Sequence, residues 1–489
     1  MFRPAGYTAP APFSAPLPLS SSKKKAWNSA AQGIEAVNGA LMKLVFLGVF
    51  VGLLLLSLVA WLIQPQVELQ GRLPLVWASD PNPARREQVA LFNRLYPQYE
   101  LRLDPNNNGM EKVIVQSLAG VGPDLFDCYS GSQLSAFVKS GIAWDVTGEL
   151  PALGIDYKRE VFAPIHPTFV LDGRAYGLTS NFAVAALWFN KDIFDACGVP
   201  YPAGNWTWED FIPLAKRMTV RDENNRVRQF GLLCGWGNFR QFILQYGGAI
   251  YSEDGTRCIV DSPEASAGVQ MLHDLIYKHR VMPSPVEEAG MATQGGYGSG
   301  LITLFGGGKA AMALGGRYWL CALRGQKLRL GVVEGPWGVQ RVYLGDGHST
   351  LINKYSPNRR AALDFFRYKF GKEYNELINH QADGVAPVAR YCQTPEFLHD
   401  PAYPEEDYNA VWRDIIQYAV CEELSPFVNG RVATRLLEGE LDLVRNDQKT
   451  PAEALRAAAQ EINLEIQKTV QRDPDLRARY AQLTKGKQR

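Results

Sequence analysis

Residues 44–63 read LVFLGVFVGLLLLSLVAWLI, a run without charge in which Ser57 is the only clearly polar side chain. No other feature restricts the chain as much. At about 1.5 Å per residue a helix over this run is roughly 30 Å long, the hydrocarbon thickness of a bilayer. A buried core helix rarely lacks polar residues over such a length. The run therefore predicts one transmembrane helix over residues 44–63, with Trp61 at the interface. Arg3, Lys23, Lys24, Lys25 and Lys43 stand before or at its start against only Glu35, whereas residues 64–70 carry Glu68 and no Lys or Arg. This asymmetry predicts a single pass through the inner (cytoplasmic) membrane, the N-terminus cytoplasmic and the large remainder periplasmic or extracellular. A cleaved signal peptide is the other reading, but both the lead and the apolar run are long for one. The remainder is exported in either case. Residues 1–43 form a basic segment, and Pro, Ala and Ser without apolar periodicity over 1–22 predict disorder there.

The exported part alternates. Residues 73–78 and 100–104 read as short strands, and 125–129 as a third. Residues 84–96 place Val89, Phe92, Leu95 and Tyr96 at helical spacing, and further helices are expected over 111–119 and 132–140. This order predicts an α/β fold with a parallel sheet covered on both faces. A ligand crevice is then expected beyond the carboxyl ends of the strands, at the loops 79–83 and 130–132. Thr207 followed by Glu209 and Asp210, and Thr450-Pro451 followed by Glu453, are helix starts. Residues 290–308 are Gly-rich, and 405–480 read as helical throughout.

The 51 Lys+Arg against 50 Asp+Glu, a formal net charge of +1, exclude the basic excess of a nucleic-acid protein. Gly306-Gly-Gly-Lys309 is no phosphate loop, because Thr303 stands where a Gly is required and Ala310 where Ser or Thr is. Gly-x-Ser-x-Gly and His-Glu-x-x-His are both missing. The seven Cys form no Cys-x-x-Cys pair and the six His are scattered, so no metal site is expected. Asp124 and Asp127 could form a glycosidase pair, but Asp124 more simply pins the turn after Gly122-Pro123. No catalytic residue and no cofactor are expected.

Several stretches resemble one family. Tyr176-Gly-Leu-Thr179, then Asn190-Lys-Asp-Ile-Phe194, then Thr207-Trp-Glu-Asp-Phe211 look like the extracellular solute-binding proteins of ABC importers, in the maltose/oligosaccharide-binding group. Gly122-Pro-Asp-Leu-Phe126, Lys309-Ala-Ala-Met312 leading to Gly316-Arg-Tyr-Trp319, and residues 356–366 match as well. Thr179 and Phe189 depart from the Pro and Tyr usual there, and no lipobox Cys follows the apolar run. The resemblance covers about residues 72–470. It implies a two-lobed periplasmic-binding-protein-like fold of type II with a hinge, behind the transmembrane helix. One lobe would be 72–178 plus 343–390 and the other 179–342 plus 391–489. It implies a small-molecule solute, a sugar above all, passed to ABC permease subunits, and no enzymatic activity. A sensor of the same fold and an anchored glycoside hydrolase are the alternatives.

A sugar offers C–H faces and many hydroxyls, so its site needs aromatic platforms and short polar groups. Trp236 lies between glycines, Tyr318-Trp319 follow Gly315-Gly316, and Trp412 opens a helix. By the resemblance, Tyr318 and Trp412 stack on the ligand. Ser79, Asp80, Asp127, Tyr129, Ser130 and Asn238 are the expected polar contacts. Carboxylates among them could instead select a cationic solute.

Overall fold

The computed structural model describes residues 43–59, 69, 71–106, 108–291 and 300–485. The basic segment up to residue 42 and residues 60–63 of the apolar run lie outside the described residues, as does 292–299 of the Gly-rich stretch. Residues 43–59 are helical, and their large apolar side chains, Phe46 and Leu56 among them, are exposed. Among the described residues no helix is long and apolar enough to cross a membrane.

From Gly71 onward the chain is one compact unit built on two sheets. Strands β1 (Leu73–Ala78), β2 (Tyr99–Asp104) and β3 (Leu125–Cys128) pair in parallel in the order 2-1-3, as the alternating pattern predicts. A hairpin of β4 (Val170–Leu171) and β5 (Arg174–Ala175) precedes β6 (Gly177–Val184). After Ala185 the same run of chain becomes β7 (Ala186–Asn190), which belongs to the second sheet with β8 (Val220–Arg221), β9 (Val227–Leu233), β10 (Ala310–Gly315) and β11 (Leu330–Val333). The chain returns along β12 (Tyr343–Ile352), antiparallel to both β3 and β6, and β13 (Ala419–Val420) pairs with its start. The first sheet thus extends through Val184, past residue 178 where the resemblance divides the lobes, because β6 keeps pairing with β12.

Successive strand residues point to opposite faces, and the burial follows this rule. Leu75, Trp77 and Leu125 enter one core with Phe92 and Phe365, while Ala78 and Phe126 enter another with Val113, Leu134 and Phe137. In the second sheet Trp188 and Ala313 share the core of Leu75 and Trp77. Leu187 and Met312 face a separate core covered by Trp208–Arg217, Pro263–Tyr277, Gly430–Arg445 and Pro451–Arg472. Thr207 and Thr450 each close a capping box. The C-terminal stretch is not helical throughout: helix Asn409–Ile415 gives way to β13, and regular helix resumes only at Gly430, capped by Asn429. The pairing of β13 with β12 interrupts the run, and Pro426, which cannot donate within a helix, keeps a helix from resuming at once.

Candidate functional site

Two of the places where the chain passes between the sheets run along a cavity of about 560 Å³. Ala183–Ala185 and the Leu344–Gly347 part of β12 run along it. Tyr129 and Ser130, in the loop after β3, stand on one wall together with the turn Ala163–Thr168. Asn238, Arg240 and Gln241 from the second sheet's side face them with Gly315, Gly316, Tyr318 and Trp319. Cys421 and Glu422, just after β13, complete the lining. A ligand in this space touches elements of both sheets.

The first wall rests on buried polar groups. Asp127 accepts hydrogen bonds from Trp77 Nε1 at 2.8 Å, Thr350 Oγ1 at 2.7 Å and the Ser79 hydroxyl. The Tyr129 hydroxyl donates to Asp80 at 2.9 Å, and Arg85 donates to the same carboxylate at 3.0 Å. Arg85 also pairs with Asp383, which accepts from Asn82 Nδ2 at 2.8 Å. Behind them Lys369 Nζ donates to Ser180 Oγ at 2.5 Å and lies 4.5 Å from the centre of the Trp77 ring. The His348 ring stacks on Tyr129, centroids 5.3 Å apart.

Burial governs the titration of this cluster. Desolvation pushes Asp127 up and pulls Lys369 down to about 7, each partly offset by the other's charge. Desolvation also pulls His348 well below its ordinary value, with Arg85 and Lys369 adding to the effect, so it is neutral at neutral pH. At Asp80 burial works upward, but the Arg85 guanidinium and the hydrogen bonds outweigh it and the pKa falls. The cluster orients Tyr129 from below by holding Asp80 in place.

The second wall is shaped by rings and glycines. Trp319 is 3% exposed and stacks parallel to Trp188, and the Phe305 ring lies tilted 6.0 Å from it. A Cβ on Gly315 would collide with the Trp319 ring, and one on Gly316 would meet the Tyr318 ring at 2.5 Å. Both positions must be Gly for the two rings to lie flat against the backbone.

Of the residues singled out from the sequence, Tyr129, Ser130, Asn238, Tyr318 and Trp319 line the cavity together. Ser79, Asp80 and Asp127 lie beneath the wall and act through their hydrogen bonds. Two expectations need correction. Trp412 is 1% exposed and packs 5.5 Å from Trp188, so its ring presents no face to the cavity. Trp236 is half-buried against the core of the second sheet's outer face, not among the lining residues. Helical position alone could not separate a packed Trp from an open one. Asp124 does pin its turn, accepting from Val76 N at 2.8 Å and from Ser356 Oγ at 2.5 Å. Sequence reasoning missed Arg240, Gln241 and Glu422. For Glu422 the signal was Pro426, which marks residues 421–429 as loop rather than helix. Each of the seven cysteines is a free thiol. Among the described residues no group of three or more His, Cys, Asp or Glu could hold a metal ion.

Comparison with known proteins places this geometry. Residues 78–376 match the family described as bacterial extracellular solute-binding protein. A binding protein of Brucella abortus is 25% identical over 285 residues, 57% of this chain and 66% of that protein, so the match spans just under two thirds of the relative's length. The arabinooligosaccharide-binding protein of Bacillus subtilis is 23% identical over 398 residues, 77% of this chain and 88% of that one. Among solved structures, an ABC substrate-binding protein of Listeria monocytogenes in complex with cycloalternan superposes with a TM-score of 0.67 at 24% identity, covering 80% of this chain and 98% of that one. The likeness establishes a two-lobed α/β fold.

Proposed function

The chain belongs to the bacterial extracellular solute-binding protein family, and on that premise we propose that it captures a sugar or oligosaccharide by lobe closure and hands it to the permease subunits of an ABC importer. The observation that carries this reading is the cavity between Tyr129–Ser130 on one side and Tyr318–Trp319 on the other, whose walls belong to different sheets. A solute touching both walls binds the closed arrangement better and shifts the population toward it. Tyr318 offers a half-buried ring for a sugar face, while Tyr129, Ser130 and Asn238 offer hydroxyl and amide partners. Relatives named for binding arabinooligosaccharides and cycloalternan support the carbohydrate class.

In this reading the lobes are 72–178 plus 343–390 and 179–342 plus 391–489, with the first crossing moved to Ala185. Residues 44–63 hold the protein in the cytoplasmic membrane, N-terminus inside, so the binding unit works at the outer face beside its permease. In this reading the protein acts as a binder and not as an enzyme: Asp124 and Asp127, the carboxylate pair of the hydrolase alternative, are both taken up by hydrogen bonds inside the protein. Protease added outside the membrane should digest the unit from residue 71 onward and spare the first 43 residues. A mature protein beginning near Trp61 would remove the anchor from this proposal.

The test of function is a carbohydrate panel on the full chain in detergent. A ligand that binds only the folded state at a hundredfold excess over its Kd stabilises it by about 2.7 kcal/mol. We expect one or more sugars to raise the Tm by a few degrees and to be recovered chemically unchanged. A cleaved sugar would make the protein a hydrolase. A shift with amino acids or polyamines alone would keep the binding role and discard the sugar.

A further inference from the structure

Beneath the first wall a row of buried polar side chains leads from Lys369 to Asn181, and the donor at each step can be assigned. Lys369 Nζ donates to Ser180 Oγ at 2.5 Å. Thr350 Oγ1 gives its hydrogen to Asp127 Oδ1 at 2.7 Å, so toward Ser180 Oγ, 3.0 Å away, it can only accept. Ser180 therefore takes a hydrogen from Lys369 and passes its own to Thr350. At the far end His348 Nδ1 faces Asn181 Oδ1 at 3.1 Å. That oxygen also accepts from the His348 backbone N–H, so Nδ1 carries the ring hydrogen and Nε2 is bare. Nε2 is buried, makes no hydrogen bond and stands 3.5 Å from Asp127 Oδ2. Two acceptors thus face each other out of solvent at the one break in a row that otherwise runs in a single direction. One proton closes the break. The surrounding charges leave room for it. Asp80, Asp127 and Asp383 face the cations Arg85 and Lys369, an excess of one negative charge. Tyr129, Tyr374 and Cys128, which also lie against the pair, are kept neutral by burial.

We propose that Asp127 Oδ2 and His348 Nε2 form a proton-binding site, with the proton carried by Asp127 and donated to His348, and that this proton holds the Tyr129 wall of the cleft in place. With the proton bound, His348 is fixed at both ring nitrogens, and Tyr129 stacks on a fixed ring, centroids 5.3 Å apart. Burial favours this placement, because it raises Asp127 and keeps His348 neutral. When the proton leaves at higher pH, the lone pairs of Nε2 and Oδ2 repel each other and the ring loses its hold. Tyr129 then loses the surface that keeps its hydroxyl on Asp80. A ligand touching Tyr129 binds the fixed wall better, so ligand binding and proton binding favour each other. Affinity is therefore high at low pH and falls as pH rises through the titration of the pair. The effect on affinity rests on the cavity being the ligand site, whereas the proton site stands on the geometry alone.

The test uses the full chain in detergent. In infrared difference spectra of wild type against Asp127→Asn, a protonated-carboxyl C=O band should be present at neutral pH and fade as pH rises. His348→Gln offers Asp127 an N–H donor where the wild type has a bare acceptor, so the carboxyl should ionise and the band should vanish at neutral pH. With maltotriose as the probe, wild-type affinity should fall about tenfold between about pH 5 and about pH 9. Asp127→Asn keeps the step to His348 with an amide N–H that does not titrate, so its affinity should change less than about twofold over that range. His348→Gln should give the same flat profile and serves in its place if Asp127→Asn fails to fold. The proposal is overturned if no carboxyl band depends on Asp127, or if the band survives unchanged in His348→Gln. It is equally overturned if both variants follow pH as the wild type does, which would assign the titration to another group such as Lys369. If maltotriose does not bind, the sugar reading loses its support, and the band alone upholds or overturns the proton site.

Discussion

The two walls of the cleft are made by opposite means. On the first sheet's side, Tyr129 and Ser130 stand over Asp80, Asp127, Arg85, Asp383 and Lys369, groups joined by hydrogen bonds and ion pairs out of solvent. On the second sheet's side, Tyr318 and Trp319 stand over Trp188 and Trp412, with glycines at 315 and 316 setting how close the rings lie. A polar network fixes the direction of a hydroxyl; ring packing fixes the plane of a platform. The difference suits a ligand with polar edges and apolar faces, and it predicts that the walls fail differently when altered.

The largest effect should come from the packed side. Trp412→Ala removes a fully buried ring and should cost about 3–5 kcal/mol of stability. Affinity per folded molecule should stay unchanged, because the ring faces no cavity. Denaturant unfolding beside a binding titration decides this. A lost affinity at undiminished stability would make Trp412 a stacking residue and erase the contrast between core and platform.

Lys369 probes the polar side. Its pKa falls to about 7 in the fold from the usual 10.5, chiefly through desolvation. Between these values the unfolded chain keeps a proton that the folded chain has released. This group therefore adds to stability as pH rises, by up to about 1.4 kcal/mol per pH unit. Lys369→Met abolishes that term. The stability of the variant relative to the wild type should then decline steadily as pH rises above about 7. A difference that does not vary with pH would mean that the amine is not held in the buried network.

The smallest effect should come from the edge of the platform. At Gly316 an added methyl must displace the Tyr318 ring, whose nearest carbon would lie 2.5 Å away, with the Ala183 Cβ next at 3.4 Å. Gly316→Ala should lower sugar affinity by about threefold to tenfold, with less than about 1 kcal/mol of lost stability. If affinity holds while stability drops, Tyr318 is part of the packing and not of the platform.

The amino-acid sequence by itself determined the apolar run at 44–63, the strand–helix alternation up to residue 139, the capping boxes at Thr207 and Thr450, and the structural role of Asp124. These signals are complete within one turn or one strand, because periodicity and capping depend on near neighbours. It also named five of the residues that line the cavity: Tyr318 and Trp319 within a stretch that carries the family's pattern, and Tyr129, Ser130 and Asn238 from their places in loops. The tertiary structure decided the rest. Trp412 is core and Tyr318 is not, which depends on Trp188, a residue far away in the chain. Arg85 finds Asp383 only once the chain has crossed between the sheets and returned, a separation of 298 residues. Glu422 reaches the cleft because β13 pairs with the start of β12 and interrupts a stretch that reads as helix. Contacts of this kind are set by which distant elements share a core, and no local spacing records them.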